Sequence, residues 1–377
     1  MDNLTHALVG AALSKSGVER ITPLATATLV LAANAPDVDV LSYAQGQWFA
    51  LSFRRGITHG IPALIVLPWL VAGIMTLWDR AVLRRRHQAL PPTRFTALVS
   101  ISYLGVLTHP VLDWMNTYGM RWWLPFDGRW SYGDSLFIID PWLWLLLGAG
   151  VTLARPRSRF GSIGWLALAG VTAALISRTA LVPGPGKVAW IALVAMAALA
   201  RMLGKPSTPE GGTRLCRGLT TAAAGYVALM MISHRAAVAD VRDTLEPAGI
   251  VDARAIMIGP RPADPIGSEV LVQTDDLYLR GSHGWTDSPR AGLAAESGFL
   301  RLDVAPGVPV ETAEAAVAAA RAQPDVERYL VWSRFPYWRV EAAEDGLWVR
   351  VGDARFPGTG GLAGLSVLIP NPTRSTQ

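Results

Sequence analysis

One cysteine, Cys216, stands among 377 residues. That excludes an intrachain disulfide and any thiolate cluster, so a metal site in this chain has to be built from imidazole and carboxylate. Cys216 itself reads as a packing residue. Charge is scarce as well. Only 17% of the residues are charged against 51% apolar, with a mean hydropathy of +0.30, which excludes an ordinary soluble enzyme of this length. A basic leader is missing from Met1-Asp2-Asn3-Leu4-Thr5-His6, and no small-residue cleavage site follows the first apolar stretch. These residues are therefore expected to stay in the mature protein. The formal charge of +5 comes from Lys and Arg in short loops between apolar runs. Such placement sets membrane topology, and no nucleic-acid partner is expected.

What the chain does have is long apolar runs. Ile61 to Trp78, Pro141 to Ala154, Ile163 to Val182, Val188 to Leu203 and Leu219 to Ile232 each approach the roughly 20 residues that cross a bilayer core. Beyond Ile232 these runs stop and period-two alternation begins. The pattern predicts an all-α polytopic membrane domain over residues 1–236, then a small soluble α+β domain over 237–377. In the latter, Glu269 to Leu279, Arg328 to Val340 and Leu347 to Phe356 read as strands, and Val310 to Ala322 as a helix behind Pro309. Trp332, Tyr337, Trp338 and Arg339 could mark a binding surface, although aromatic residues in strands are more often core.

Basic loops set the orientation. Arg80, Arg84, Arg85, Arg86 and Arg94, then Arg155, Arg157 and Arg159, then Arg201, Lys205, Arg214 and Arg217 are expected on the cytoplasmic side of the inner membrane. Two crossings separate each cluster from the next, so the loops Trp114 to Phe137 and Arg178 to Lys187 fall outside. Carried along the chain, this alternation puts His6, Asp37, Asp39, His59, His109 and Asp113 at the outer face, with the C-terminal domain.

Four segments hold His or Asp beside apolar helices: Leu4-Thr5-His6-Ala7, Pro36-Asp37-Val38-Asp39, Arg55-Gly56-Ile57-Thr58-His59 and His109-Pro110-Val111-Leu112-Asp113. Ionisable groups near apolar spans are costly and need a partner or a cation. His109 and Asp113 lie four apart, on one face of a helix one turn apart, as two ligands of one ion require. Pro110 is tolerable if that helix starts near His109 or kinks there. Asp37 and Asp39 would converge on one side of an extended backbone and repel unless a cation or proton lay between them. Taken singly, each motif has a plain structural reading as a turn, cap, ion pair or interfacial hydrogen bond. Convergence of the whole set on one membrane face favours a divalent metal. His87 reads as solvated among arginines, and His234 and His283 have no carboxylate at ligand spacing.

The same segments, with Asp2-Asn3-Leu4-Thr5-His6, the run from His109 through Trp114-Met115-Asn116-Thr117-Tyr118-Gly119, and Phe137-Ile138-Ile139-Asp140-Pro141, resemble the LexA-regulated inner-membrane metal-dependent hydrolases. The resemblance covers roughly the first 150 residues. It implies distant similarity to helical, zinc-dependent phospholipase C and single-strand nucleases, and metal ligation by His6, Asp37 or Asp39, His59, His109 and Asp113. Arg54 stands where family members often carry a histidine. Asp140 matches the family's Asp-Pro step but equally suits a helix N-cap with Pro141 at the first helical position.

Imidazole and carboxylate suit zinc, manganese or iron, and one or two ions are expected. The function this points to is hydrolysis, with a phosphoester favoured and a phospholipid or lipid-linked phosphate as candidate substrate. Asp37 and Asp39 would bridge ions or take a proton, and Arg55 could clamp an anion through its planar donor fork. Two alternatives remain at this level: a polytopic transporter, or a non-catalytic membrane sensor or scaffold with a structural metal.

Overall fold

In the computed structural model the described residues are 1–87, 92–154, 159–180, 182–203, 208–288, 290–356, 358, 362 and 364–370. Among the loop residues used to set the topology, Arg155, Arg157 and Lys205 lie outside them. Two compact units result. One comprises Met1–Val38, Arg55–Ala236 and Gly259–Ser268; the other comprises Asp39–Arg54, Ala237–Ile258 and Glu269–Gln377.

The helices are α1 (Asn3–Lys15), α2 (Ala25–Asn34), α3 (Gln47–Phe53), α4 (Ile61–Trp78), α5 (Arg84–Arg86), α6 (Phe95–Trp114), α7 (Pro141–Ala154), α8 (Arg159–Arg178), α9 (Gly184–Leu203) and α10 (Pro209–Leu245). Among the described residues, five helical stretches are long and apolar enough to cross a membrane: Ile61–Arg86, Phe95–Trp114, Gly161–Arg178, Gly184–Leu203 and Pro209–Leu245. α7, with 14 residues, is a shorter apolar helix. α6 does not begin at His109; it runs through Pro110, as apolar helices tolerate when neighbours re-satisfy the freed carbonyl.

Small residues let the first helices approach closely. A Cβ on Gly105 of α6 would lie 2.6 Å from Ala32 Cβ and 3.1 Å from Leu29 O of α2. Gly10 of α1 meets the same helix, its Cβ position lying 2.7 Å from Leu29 O. Around these contacts Leu98, Val106, Ala32, Val71 and Ala72 form one apolar cluster, while Leu8, Ala12, Leu112, Leu143, Leu147 and Cys216 belong to another. Cys216 is fully buried there, in the packing role expected of it.

Beyond Leu245 the described residues form eight strands and two helices. β1 (Ala255–Arg261), β2 (Asp264–Gln273), β3 (Leu277–Gly284) and β4 (Ala291–Leu300) form one sheet in that order; β5 (Leu302–Val304), β6 (Pro336–Ala343), β7 (Gly346–Asp353) and β8 (Leu365–Pro370) form a second. β5 pairs parallel to β6, and β7 runs antiparallel to both β6 and β8. α11 (Val310–Arg321) is the helix expected behind Pro309, and α12 (Pro324–Trp332) replaces the first part of the strand expected over Arg328 to Val340. Pro324 opens α12, and Val326, Tyr329 and Trp332 bury one face at helical spacing, so the strand begins only at Pro336. Trp332 is 0% and Trp338 5% exposed, which makes them core, while Arg339 is on the surface.

Candidate metal centre

Asp2 caps α1, its carboxylate accepting from Thr5 N at 3.0 Å and Thr5 Oγ1 at 2.6 Å, which starts the helix so that His6 faces inward, fully buried. Trp144 Nε1 of α7 donates to the same Asp2 carboxylate and to Thr5 Oγ1, fixing this end of the helix. Asp37 follows in a 3-10 helix, Ala35–Gln45. His59 ends a turn in which His59 N donates to Gly56 O at 3.0 Å, just before α4. His109 and Asp113 project from the last two turns of α6.

These residues converge. One ligand atom from each of Asp37, His59, His109 and Asp113 lies within 4.8 Å of all the others, and the four could hold a metal ion. His59 Nε2 and His109 Nε2 are 3.1 Å apart. Asp113 Oδ2 lies 3.4 Å from His59 Nε2 and 3.6 Å from His109 Nε2, and Asp37 Oδ1 lies 3.8 Å from each imidazole nitrogen. A tetrahedral ion with bonds of about 2.1 Å separates its ligand atoms by about 3.4 Å, so the residues present fit such a group.

The tautomers fit too. His109 Nδ1 is 2.6 Å from Ala33 O, and because a carbonyl only accepts, Nδ1 carries the hydrogen. In the neutral ring this leaves the Nε2 lone pair directed at the cluster, the usual orientation device of a ligating histidine. His59 Nδ1 is held by Thr58 Oγ1 at 3.0 Å. His6 joins through Asp113: its Nε2 is 3.2 Å from Asp113 Oδ1 and its ring stacks on His109 at 3.7 Å. The Met1 amino group meets the same carboxylate oxygen. His59 and His109 are 0% and Asp113 1% exposed, whereas the Asp37 side chain is 10% exposed, which makes Asp37 the least buried of the four.

Three residues behave differently from the sequence expectation. His6, expected as a ligand, is not among the four that converge and reaches them through Asp113. Asp39 does not accompany Asp37; it belongs to the second unit, where Arg54 Nε pairs with its Oδ1 at 3.1 Å. The expectation assumed an extended backbone, but in a 3-10 helix of about three residues per turn, side chains two apart diverge by roughly 240°. Arg55 is turned onto the protein instead of outward. Its Nε lies 2.9 Å from Asp113 Oδ2, its Nη1 donates to Asn116 Oδ1 at 2.7 Å, and its guanidinium covers the Tyr118 ring at 4.5 Å. Its backbone φ of 52° is left-handed, which for an arginine marks a turn held by its surroundings. The donor fork expected to clamp an anion thus secures Asp113.

Supporting residues that spacing did not single out are Asn3, whose Nδ2 donates to Asp37 Oδ2 at 2.9 Å, and Asn116, whose Oδ1 also accepts from Tyr118 N at 2.9 Å. Both lie inside the quoted motifs, but only a fold shows what an amide reaches. Asp140 is the N-cap of α7: Trp142 N and Leu143 N donate to its Oδ1 at 3.0 and 3.1 Å, and Tyr226 OH to its Oδ2 at 2.9 Å. Burial raises its pKa to about 6 against the hydrogen bonds that oppose the shift. His87 is exposed; His283, given no partner by spacing, lies 3.0 Å from Asp240 Oδ2 across 43 residues of sequence.

Comparison with known proteins agrees with this architecture. Residues 1–184 match the YdjM inner membrane protein family, and with the apolar helices this supports a multi-pass protein of the inner membrane. The matched region contains every residue of the metal centre. The chain is also similar to the uncharacterized protein YfhP of Bacillus subtilis, 26% identical over 155 residues, which is 38% of this chain and 43% of that protein. The similarity thus spans less than half of YfhP. No solved structure matches.

Proposed function

We propose that this protein is a membrane-bound, metal-dependent hydrolase acting on phosphoesters, with its centre and its C-terminal unit on the outer face of the inner membrane. The observation that carries the reading is the convergence of Asp37, His59, His109 and Asp113 within 4.8 Å in a buried cluster. A single divalent transition ion, zinc by preference, would be held by His59, His109 and Asp113 beside Asp37, and would supply Lewis acidity and a water of pKa about 7.

The remaining work falls to the chain. Ala33 O and Thr58 Oγ1 hold the two imidazoles in orientation. Arg55 keeps Asp113 in place, and His6, on Asp113 Oδ1, fixes the other side of that carboxylate. Asp37, the least buried of the four and oriented by Asn3, is the group placed to take a proton from a water at its carboxylate. A phosphoester suits the site because a cationic centre bordered by the bilayer attracts an anionic headgroup. The transporter alternative is less well supported, since the candidate ligands cluster at helix ends and not at mid-span.

The test is hydrolysis of bis(p-nitrophenyl) phosphate by detergent-purified protein supplied with zinc or manganese. Turnover should be metal-dependent, abolished by chelation, and lost in His109→Ala. Turnover indifferent to that substitution, or none by metal-loaded wild type, would contradict the reading.

A further inference from the structure

The loop from Arg121 to Asp127 is pinned to the segment that carries His59. Arg121 N donates to Arg55 O at 3.0 Å, and Ile61 N donates to Trp122 O at 3.1 Å. The approach is tight: a Cβ on Gly60 would lie 3.0 Å from Trp122 O and 3.3 Å from Leu124 O. Ile61 is at once the partner of this loop and the first residue of a candidate membrane span. The loop therefore lies at the level where the span begins, two residues from a metal-centre histidine.

Its tip is a closed turn, with Phe126 N and Asp127 N both donating to Trp123 O, at 2.8 and 3.1 Å. That turn leaves Trp123 58% and Phe126 85% exposed, although neighbouring Met120 is fully buried. Large aromatic side chains exposed beside the end of an apolar span have the composition and depth of the aromatic belt at a bilayer interface. Water is a poor surrounding for them, and a lipid surface at this height is the partner their position fits. Rigidity adds to the case, because the loop is tied by main-chain bonds to both Arg55 and Ile61, so whatever it touches is held beside the cluster.

We propose that the 121–127 loop is a membrane-seated rim of the metal centre. Trp123 and Phe126 lie among the headgroups and upper acyl chains, and the centre draws its phosphoester from lipids in that plane. The second statement rests on the hydrolase reading; the first does not.

The experiment keeps the two apart. A nitrobenzoxadiazole label is attached to Phe126→Cys in a Cys216→Ser background, with the full chain in phosphatidylethanolamine and phosphatidylglycerol nanodiscs. Emission should be blue-shifted, quenched at least twofold by lipids brominated in the upper acyl chain, and insensitive to aqueous iodide. Quenching by iodide and not by bromolipid would overturn the membrane-seated rim; insensitivity to both would overturn it in favour of a protein surface covering the loop. In a second arm, Trp123→Ala/Phe126→Ala should lower the ratio of kcat/KM for bilayer phospholipid to that for a water-soluble phosphodiester at least tenfold. An unchanged ratio overturns the lipid source alone. Wild type that hydrolyses neither substrate overturns the hydrolase reading and the lipid source together, while the quenching result still decides the rim.

Discussion

The membrane unit and the second unit each bury an aspartate against an arginine, and the two clusters are completed in opposite ways. Around Asp353, Ser333 Oγ, Arg334 N and Phe335 N donate to Oδ2, and Arg355 N and Nε donate to Oδ1. Arg355 Nη2 adds a bond to Oδ2 at 3.0 Å. Every neighbour is a donor. Around Asp113, Arg55 plays the part of Arg355 and the Met1 amino group donates to Oδ1, but the remaining company is His6, His59, His109 and a second carboxylate, Asp37. Two imidazole nitrogens face each other there at 3.1 Å, with two carboxylates beside them. The first cluster is closed by its own hydrogen bonds, whereas the second gathers a group that could hold a cation. Burial and charge alone do not tell a structural pair from a ligand set; converging imidazoles and a second carboxylate do.

The sharpest way to break this comparison is Asp353→Ala. It leaves Arg355 buried without its carboxylate, and breaking a buried pair from one side costs about 3–5 kcal/mol. The second unit should melt at markedly lower temperature in a proteolysis or calorimetry series, while bound metal per chain stays the same. Metal loss at unchanged stability would erase the distinction. The two units also give acid opposite effects. Burial pushes the Asp353 pKa up, but the Arg355 charge and the converging donors outweigh it and hold the group below its ordinary value. A lowered native pKa contributes stability above the unfolded value of about 4 that is lost as pH falls through the native one.

Asp140 supplies the reverse case, a buried carboxylate with donors but no cation, raised to about 6. Its contribution is complete below the unfolded pKa and is lost as pH rises through about 6, a difference on the order of 3 kcal/mol. Asp140→Asn keeps the capping oxygen and should flatten this part of the stability profile between pH 4 and 7 in chemical denaturation. A profile that keeps its slope would remove Asp140 as the cause.

Smaller effects fall on the supports of the centre. Asn3→Ala removes the donor to Asp37 and should weaken metal affinity about 10- to 100-fold by competition with a chelating dye, the usual scale for a residue that orients a ligand, with folding unchanged. Gly105→Ala places a methyl against Ala32 and Leu29 O, and overpacking of this kind costs about 1–3 kcal/mol. It should also shift Ala33 O from His109 and so lower metal affinity along with stability; a change in neither would show that α2 yields freely.

Particular residues explain what was legible in the sequence. His109 and Asp113 announce themselves because the helical period puts residues four apart on one face, and the apolar run around them leaves polar groups conspicuous. His6 and His59 were legible for the second reason alone. Asp39 was misplaced because carboxylate spacing carries no information on whether a short segment is extended or 3-10. Arg55 was misread because donors look alike whether they face a substrate or a neighbouring carboxylate, and its left-handed turn depends on the tertiary surroundings. In the second unit, Arg328 to Trp332 carries β-favouring residues, yet Pro324 and the buried Val326, Tyr329 and Trp332 make it a helix. Contacts between distant segments, such as Asn3 to Asp37 or His283 to Asp240, leave no local trace.

The central claim is that the cluster of Asp37, His59, His109 and Asp113 is a cation site. It is tested most directly by the metal content of the detergent-purified, folded protein, measured by inductively coupled plasma mass spectrometry beside His59→Ala/His109→Ala. One transition-metal ion per wild-type chain, absent from an equally folded variant, is the expected result. Wild type that binds no ion under loading conditions sufficient for known metalloenzymes, or a variant that keeps its full complement, would contradict it.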